Sequence, residues 1–313
     1  MSVYTPINRA ELRQFLPHYA LGELLGFTEI SDGIENSNYL VTTSSGDTVL
    51  TLFEASDIDE IGFALELMAH LCEAGLPCAR AIANRDKRFI GQLKDKPATL
   101  VSRLAGKSVL NPALTHCQQI GDHLASLHIA GNRLGAQRPN PRGKAWRETI
   151  YHRLVPYLPP ADKALLDDEM SFQAQQALDA LPRGIIHGDL FRDNVLFQHD
   201  KLSGLIDFYH SGKDLLLYDL AITVNDWCFD AAGQLQKELL LGLLQSYQAK
   251  RPVSDAEKIA WPVLLRRAAL RFFMSRLLHH YMPREGIQTQ EKDPHVFRYI
   301  LQYHRENRLE WFA

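Results

Sequence analysis

Residues 184–196 read Gly184-Ile185-Ile186-His187-Gly188-Asp189-Leu190-Phe191-Arg192-Asp193-Asn194-Val195-Leu196, and Gly204-Leu205-Ile206-Asp207-Phe208 comes shortly after. Two apolar runs bracket a polar loop, which predicts strand, loop and strand, and a third run ends on a further acid. Inside the loop the order is His-x-Asp-x-x-x-x-Asn. Each polar residue suits a separate task. Asp189 is placed to hydrogen-bond a hydroxyl and take its proton. Asn194 offers a neutral oxygen and Asp207 an anionic one, both suited to a hard cation such as Mg²⁺. His187 suits a scaffold that fixes the loop. A turn whose Asp and Asn only cap the backbone is the plainer reading of a lone His-x-Asp. The joint occurrence of loop, apolar flanks and downstream Ile-Asp-Phe weighs against it. Together these residues meet the demands of phosphoryl transfer from ATP, which needs alignment and charge neutralisation more than covalent chemistry.

Outward from the loop, the 313 residues exceed one minimal core and fit two lobes sharing a cleft. A formal net charge of -3 gives no electrostatic case for nucleic acid or an anionic membrane as partner. The four cysteines (Cys72, Cys78, Cys117 and Cys228) form neither a CxxC pair nor a zinc spacing, so reduced, mostly buried thiols are expected. No apolar run approaches a membrane span, and the first residues lack a signal-peptide core. A cytoplasmic protein is the expectation.

The first hundred residues favour strands. Leu24–Asp32, Asn38–Thr43 and Thr48–Phe53 are predicted strands, with Ser44-Ser45-Gly46-Asp47 as hairpin turn. Asp57-Ile58-Asp59-Glu60 opens a helix carrying Ile61, Leu65, Met68 and Leu71 on one face. Arg88–Leu93 and Pro97–Leu104 complete five strands and one helix. From Asn111 the pattern turns helical, over 112–129, 145–155, 161–181, 215–229, 234–249, 255–282 and 295–309. Pro262 is expected to start or kink a helix rather than sit inside one. The economical architecture is α+β: a strand-rich N-terminal nucleotide-binding lobe (1–103), a mostly helical C-terminal lobe (104–313), and the active site between them.

The nucleotide side carries a weaker signal. Ser31-Asp32-Gly33-Ile34-Glu35-Asn36-Ser37-Asn38 lies between the first two strands, where a phosphate-covering loop belongs, without a G-x-G-x-x-G pattern. Asp32, Asn36, Ser37 and Asn38 are its candidate contacts, through small polar groups and backbone N–H. Gly106-Lys107-Ser108 imitates the end of a Walker A loop, but the required first glycine falls at Val101. Arg266, Arg267, Arg271 and Arg276 read as a solvated helix face, with a cleft role open to Arg271 and Arg276.

These motifs resemble the aminoglycoside phosphotransferase and choline kinase superfamily. Further stretches are similar to its homoserine kinases: Glu35–Tyr39, Val49–Glu54, Leu205–Tyr209, Tyr218–Cys228, and Arg271-Phe272 with Ser275-Arg276-Leu277. The resemblance spans nearly the whole chain. It implies a protein-kinase-like fold and transfer of phosphate from Mg²⁺-ATP to the L-homoserine hydroxyl, a step toward threonine. It assigns Asp189 the role of base, Asn194 and Asp207 the metal, and His187 and Asp219 the bracing of the loop. One departure is Thr51, where such folds place a phosphate-gripping lysine. Glu66, on the following helix, then needs another cation, with Lys94, Lys96 and Arg103 as candidates; Glu66 and Ser102 are counted with the nucleotide side. For the acceptor, Asp226 suits an ammonium, Arg192 or Arg276 a carboxylate, and Trp227 a wall. Kinases of hydroxylysine, choline, ethanolamine or an aminoglycoside stand next, and a nucleotide-binding pseudokinase is the reading from another class.

Overall fold

The computed structural model describes residues 5–30, 36–54, 57–230, 232–283 and 292–311. The chain divides into two compact units, one running to Ala105 and the other continuing from Gly106.

The first unit is an antiparallel sheet with helices. Strands β1 (Leu24–Ile30), β2 (Ser37–Thr43), β3 (Gly46–Leu52), β4 (Ala81–Ile82), β5 (Ile90–Leu93) and β6 (Lys96–Ser102) pair in the order β1-β2-β3-β6-β4, with β5 on β6. Five of these match predicted strands; two-residue β4 is too short to leave a periodic signature. Lys94 and Asp95, at φ 52° and 58°, make the β5–β6 connection a type I′ turn, whose twist suits adjacent strands. Helix α1 (Arg9–Phe15) falls where no element was expected. Its signal is a capping box, in which Asn8 accepts the Glu11 N–H and the Glu11 carboxylate accepts the Asn8 N–H. Leu12, Phe15 and Leu16 join Tyr39, Val41, Leu50 and Leu52 in one core, each buried aliphatic contributing about 2 kcal/mol. Helix α2 (Ile58–Glu73) starts after Asp57 and buries Ile61, Leu65, Met68 and Leu71, as their spacing predicts.

The second unit contains α3 (Leu114–Gly131), α4 (Lys144–Leu154), α5 (Pro160–Ala174), α6 (Leu216–Trp227), α7 (Lys237–Lys250), α8 (Asp255–Tyr281) and α9 (Pro294–Glu306). Between α5 and α6 lie two ribbons, β7 (Arg183–Ile186) with β10 (Gly212–Leu215), and β8 (Val195–Gln198) with β9 (Lys201–Leu205). Helix α6 is apolar nearly all round and buried on every side except at Asp226. Pro262 corrects an expectation: it sits inside α8. A Ser254–Glu257 capping box starts the helix earlier, and burial of Trp261, Leu264 and Leu265 offsets the hydrogen bond the proline cannot make. Helix α5 ends at Ala174, short of its predicted reach, and the chain then turns to bury Leu178 and Leu181. No described helix is long and apolar enough to cross a membrane.

Candidate active site

Strand β7 delivers His187 to the head of the polar loop, and Asp219 on α6 fastens it there. The buried Asp219 carboxylate accepts the backbone N–H of His187 at 2.7 Å and of Gly188 at 2.8 Å. His128 on α3 donates to the same carboxylate at 3.0 Å from Nε2, and its Nδ1 accepts from the Tyr247 hydroxyl at 2.8 Å. Burial holds the His128 imidazole below its usual pKa despite the Asp219 charge, which keeps it neutral and fixes that tautomer. Gly188 has φ +77°, and a Cβ there meets the His210 carbonyl oxygen at 2.7 Å, so the loop turns on a position only glycine fits.

His187 ties the loop to the strand bearing the second acid. Its Nε2 donates to the Ile206 carbonyl at 3.0 Å, and its Nδ1 accepts the Asp189 N–H at 3.3 Å. Burial lowers its pKa, so it is a neutral clamp rather than a proton carrier. Asn194 donates from Nδ2 to the Asp189 carbonyl at 2.8 Å, and its own carbonyl accepts the Ile206 N–H at 3.1 Å. Asn194 and the approach to Asp207 are therefore held as one piece. Asp207 is exposed and left-handed, at φ 66° and ψ 61°, an uncommon conformation for a non-glycine residue. The amide nitrogen of Asn194 serves the loop, which leaves its Oδ1 for a cation. Among the described residues no three His, Cys, Asp or Glu side chains gather into a metal cage. One amide and one carboxylate oxygen instead fit Mg²⁺, which keeps waters and phosphate oxygens as its other ligands.

Asp189 sits beside Arg271, one of the two arginines for which the sequence left a cleft role open. Arg271 Nη1 on α8 lies 3.6 Å from Asp189 Oδ1, and the arginine is almost fully buried. Burial pushes the Asp189 pKa up, but the opposing charge of Arg271 above all, followed by His210 and Lys292, brings it below the ordinary carboxylate value. Asp189 is thus ionised at neutral pH.

The residues predicted to touch the acceptor each have partners within the protein. Asp226 Oδ2 accepts the Arg192 backbone N–H at 2.7 Å and its Nε at 3.1 Å, while Arg192 Nη1 donates to the Leu110 carbonyl at 2.7 Å. Burial raises the Asp226 pKa, partly countered by Arg192. Acid and base, read as separate ligands, form one ion pair at the start of the turn Arg192–Asn194. Trp227 is a fully buried core residue whose Nε1 donates to the Leu190 carbonyl at 3.0 Å. Arg276 donates to the Asp293 carbonyl at 2.9 Å and lies 4.4 Å above the Phe297 ring. Burial brings its pKa down to about 10 against the pull of Asp226 and other acids.

In the first unit, Asp32 lies outside the described residues. Asn36 Oδ1 accepts the Glu54 N–H at 3.4 Å, Ser37 Oγ donates to Glu54 Oε1 at 2.6 Å, and Asn38 Oδ1 accepts from Thr51 Oγ1 at 2.8 Å. Ser102 Oγ accepts the Arg80 N–H at 2.9 Å. Glu66 is exposed, and the cations considered for it pair elsewhere: Lys94 with Glu11, Lys96 with Glu54, Arg103 with Asp47. Glu54, quoted only within a family stretch, is the local organiser, joining Thr5, Ser37 and Lys96. Instead of the expected turn, Lys107 forms an antiparallel bridge with Phe197, its N–H donating at 3.0 Å and its carbonyl accepting at 2.9 Å, so its N–H cradles no phosphate.

A strand-rich unit, a helical unit and this loop define a phosphotransferase of the kinase-like class. The sequence pattern of the Phosphotransferase enzyme family matches residues 26–253. The homoserine kinase of Methylobacillus flagellatus is 46% identical over 303 residues, 97% of this chain and 95% of that protein. The homoserine kinase of Janthinobacterium sp. (strain Marseille) is 41% identical over 306 residues, 96% of this chain and 95% of that one. Among solved structures, amicoumacin kinase in complex with AMP-PNP, Ca²⁺ and Ami superposes with TM-score 0.73 at 16% identity, covering 96% and 94% of the two chains. Choline kinase of Cryptosporidium parvum gives 0.65 at 13%, covering 90% and 88%. At such identities the structures establish the fold alone. The chain belongs to the Phosphotransferase enzyme family and, within it, to the homoserine kinases.

Proposed function

We propose that the enzyme transfers the γ-phosphate of ATP to the side-chain hydroxyl of L-homoserine, giving O-phospho-L-homoserine and ADP on the route to threonine. The observation that carries the acceptor is the 46% identity, nearly end to end, to a protein named homoserine kinase. A cytoplasmic setting, where ATP is supplied, suits this reading.

Asp189 accepts the acceptor hydroxyl's hydrogen bond, aims its oxygen at the γ-phosphorus and takes the proton late in transfer. Arg271 supports that role by keeping Asp189 anionic and by pinning one carboxylate oxygen. Asn194 Oδ1 and Asp207 would hold Mg²⁺, which neutralises charge on the phosphates when bound. His187 and Asp219 keep these groups in register, and the neutral His187 does not compete for the proton. On the nucleotide side, Asn36, Ser37 and Asn38 border the phosphate loop, with Asp32 as a further contact and Ser102 at the strand end.

Choline is the less favoured acceptor, because a quaternary ammonium needs open aromatic faces. The rings of Phe191, Phe272 and Phe297 cluster behind the loop and already carry Lys292, Arg271 and Arg276. ADP release with Mg²⁺-ATP, measured across L-homoserine, hydroxylysine, choline, ethanolamine and an aminoglycoside, tests the reading. Turnover confined to homoserine is expected. Turnover with another acceptor moves the specificity, and silence across the panel with ATP still bound favours a pseudokinase.

A further inference from the structure

The second unit pairs most of its buried or half-buried cations carefully. Arg266 meets Glu169 at 2.6 Å, Arg251 meets Glu257 at 2.8 Å, and Arg298 meets Asp162 at 2.6 Å. Three arginines, on the two packed helices α4 and α8, break this pattern. Arg147 on α4 is 6% exposed and, among the described residues, its guanidinium meets no acid and donates no hydrogen bond. Arg267 on α8 donates from Nε to Gln173 at 2.9 Å, a neutral partner. Burial, and next the charge of Arg147, brings its pKa down to about 10. Arg271, one turn further on the same face of α8, lies over the Phe272 ring and approaches Asp189 at 3.6 Å, and among the described residues its buried Nε has no partner. Tyr218 on α6, which packs against α8, is 1% exposed, and its hydroxyl likewise has no partner among the described residues. Burial raises the Tyr218 pKa, and Arg147, Arg271 and Arg267 all oppose that rise, so all three charges bear on this hydroxyl. Asp214, the acid of this neighbourhood, already serves Asn140 at 2.7 Å, Arg183 at 3.4 Å and its neighbour Leu215 N–H at 2.8 Å.

A buried excess of positive charge and an orphaned hydroxyl are costly unless an anion completes them. We infer that Arg147, Arg267, Arg271 and the Tyr218 hydroxyl form the seat of the acceptor's α-carboxylate. This rests on the homoserine reading and assigns it a substrate contact. Arg271 links the seat to the chemistry. One of its terminal nitrogens faces Asp189, and its other edge, Nε with Nη2, is the fork that grips carboxylates bidentately. The acceptor matches this span, since its hydroxyl oxygen lies four bonds, about 5 Å, from its carboxyl carbon. With the carboxylate on one edge of Arg271, the hydroxyl reaches the acid on the other. Arg192 is held by Asp226 and Leu110, and it takes no part.

The test compares kcat/KM for L-homoserine and for 3-aminopropan-1-ol, an acceptor of the same reach without a carboxylate, at saturating Mg²⁺-ATP. Wild-type enzyme is expected to prefer homoserine. Arg147→Gln and Arg267→Gln should each cut that preference about 100-fold, through the KM for homoserine and not that for ATP. Tyr218→Phe removes only an unpartnered hydroxyl, so it folds, and should cut the preference about tenfold. If an arginine variant fails to fold, Tyr218→Phe and the thermal shift that L-homoserine gives it decide the matter. Wild-type turnover of homoserine with an unchanged homoserine KM in Tyr218→Phe and Arg147→Gln overturns the seat alone. A wild-type enzyme that ignores homoserine overturns the substrate reading and the seat with it.

Discussion

Asp219 grips the backbone of His187, its Oδ2 accepting the His187 N–H at 2.7 Å inside a site closed to water. Its other oxygen takes the Gly188 N–H, so one side chain on α6 sets the backbone just before Asp189. Asp219→Asn keeps one acceptor and turns an amide N–H against a backbone N–H. Two buried donors in conflict cost about 2–3 kcal/mol. The displaced loop should lose roughly 100-fold in kcat, since small misplacements of reacting groups are that costly. Denaturant unfolding and steady-state kinetics on one preparation check both numbers. Loss of stability with kcat intact would show that the brace does not reach the chemistry.

Asp189→Asn replaces the base with a near-isostere that accepts a hydrogen bond but takes no proton. Turnover should fall about 10³-fold. ATP affinity should hold, because the nucleotide is gripped by other groups. Isothermal titration with a non-hydrolysable ATP analogue and ADP-release kinetics separate the two effects. Residual activity within tenfold of wild type would remove Asp189 from the role of base.

Asp226→Asn distinguishes two uses of one carboxylate. An ammonium anchor predicts a KM for homoserine that rises far more than the KM for ATP. A brace for the turn at Arg192 predicts a lower kcat, about tenfold, with both KM values near wild type. The pairing with Arg192 N–H and Nε favours the second outcome.

The loop was legible because its chemistry is local: His187, Asp189, Asn194 and Asp207 lie within a short stretch whose apolar flanks announce strands. Sheet and helices followed from periodicity, with α1 missed because the Asn8–Glu11 cap precedes only one short turn of apolar residues. What stayed hidden is what distant segments bring together. Arg271 follows Asp189 by more than eighty residues; a cleft role was open to it, but nothing in the sequence aims it at Asp189 while Arg266 pairs with Glu169. His128 was not singled out by the sequence; only the fold sets it between Asp219 and Tyr247. Asp226 and Arg192 were recognised as opposite charges near the site, but spacing alone does not reveal that such charges point at each other.

Acid should weaken the fold before it reaches the carboxylates. His304 on α9 is 4% exposed, donates from Nε2 to Asn225 Oδ1 at 2.8 Å, and leaves Nδ1 buried without a partner. Burial brings its pKa down to about 3, and burial lowers those of His128 and His187 as well. Unfolded histidines titrate near 6.5, so below about pH 6.5 the unfolded chain takes up protons that the folded chain refuses. Stability is therefore complete above that pH and falls as pH drops toward the folded value, with a limiting slope of about 1.4 kcal/mol per pH unit for each such histidine. Asp189 and Glu54 have lowered pKa values and stay ionised in the upper part of this window. Urea unfolding at steps from pH 7 to pH 5 should show the decline, with a shallower slope in His304→Gln. A flat profile in the wild type would mean that the interior accepts the proton, contrary to the sealed Nδ1 site.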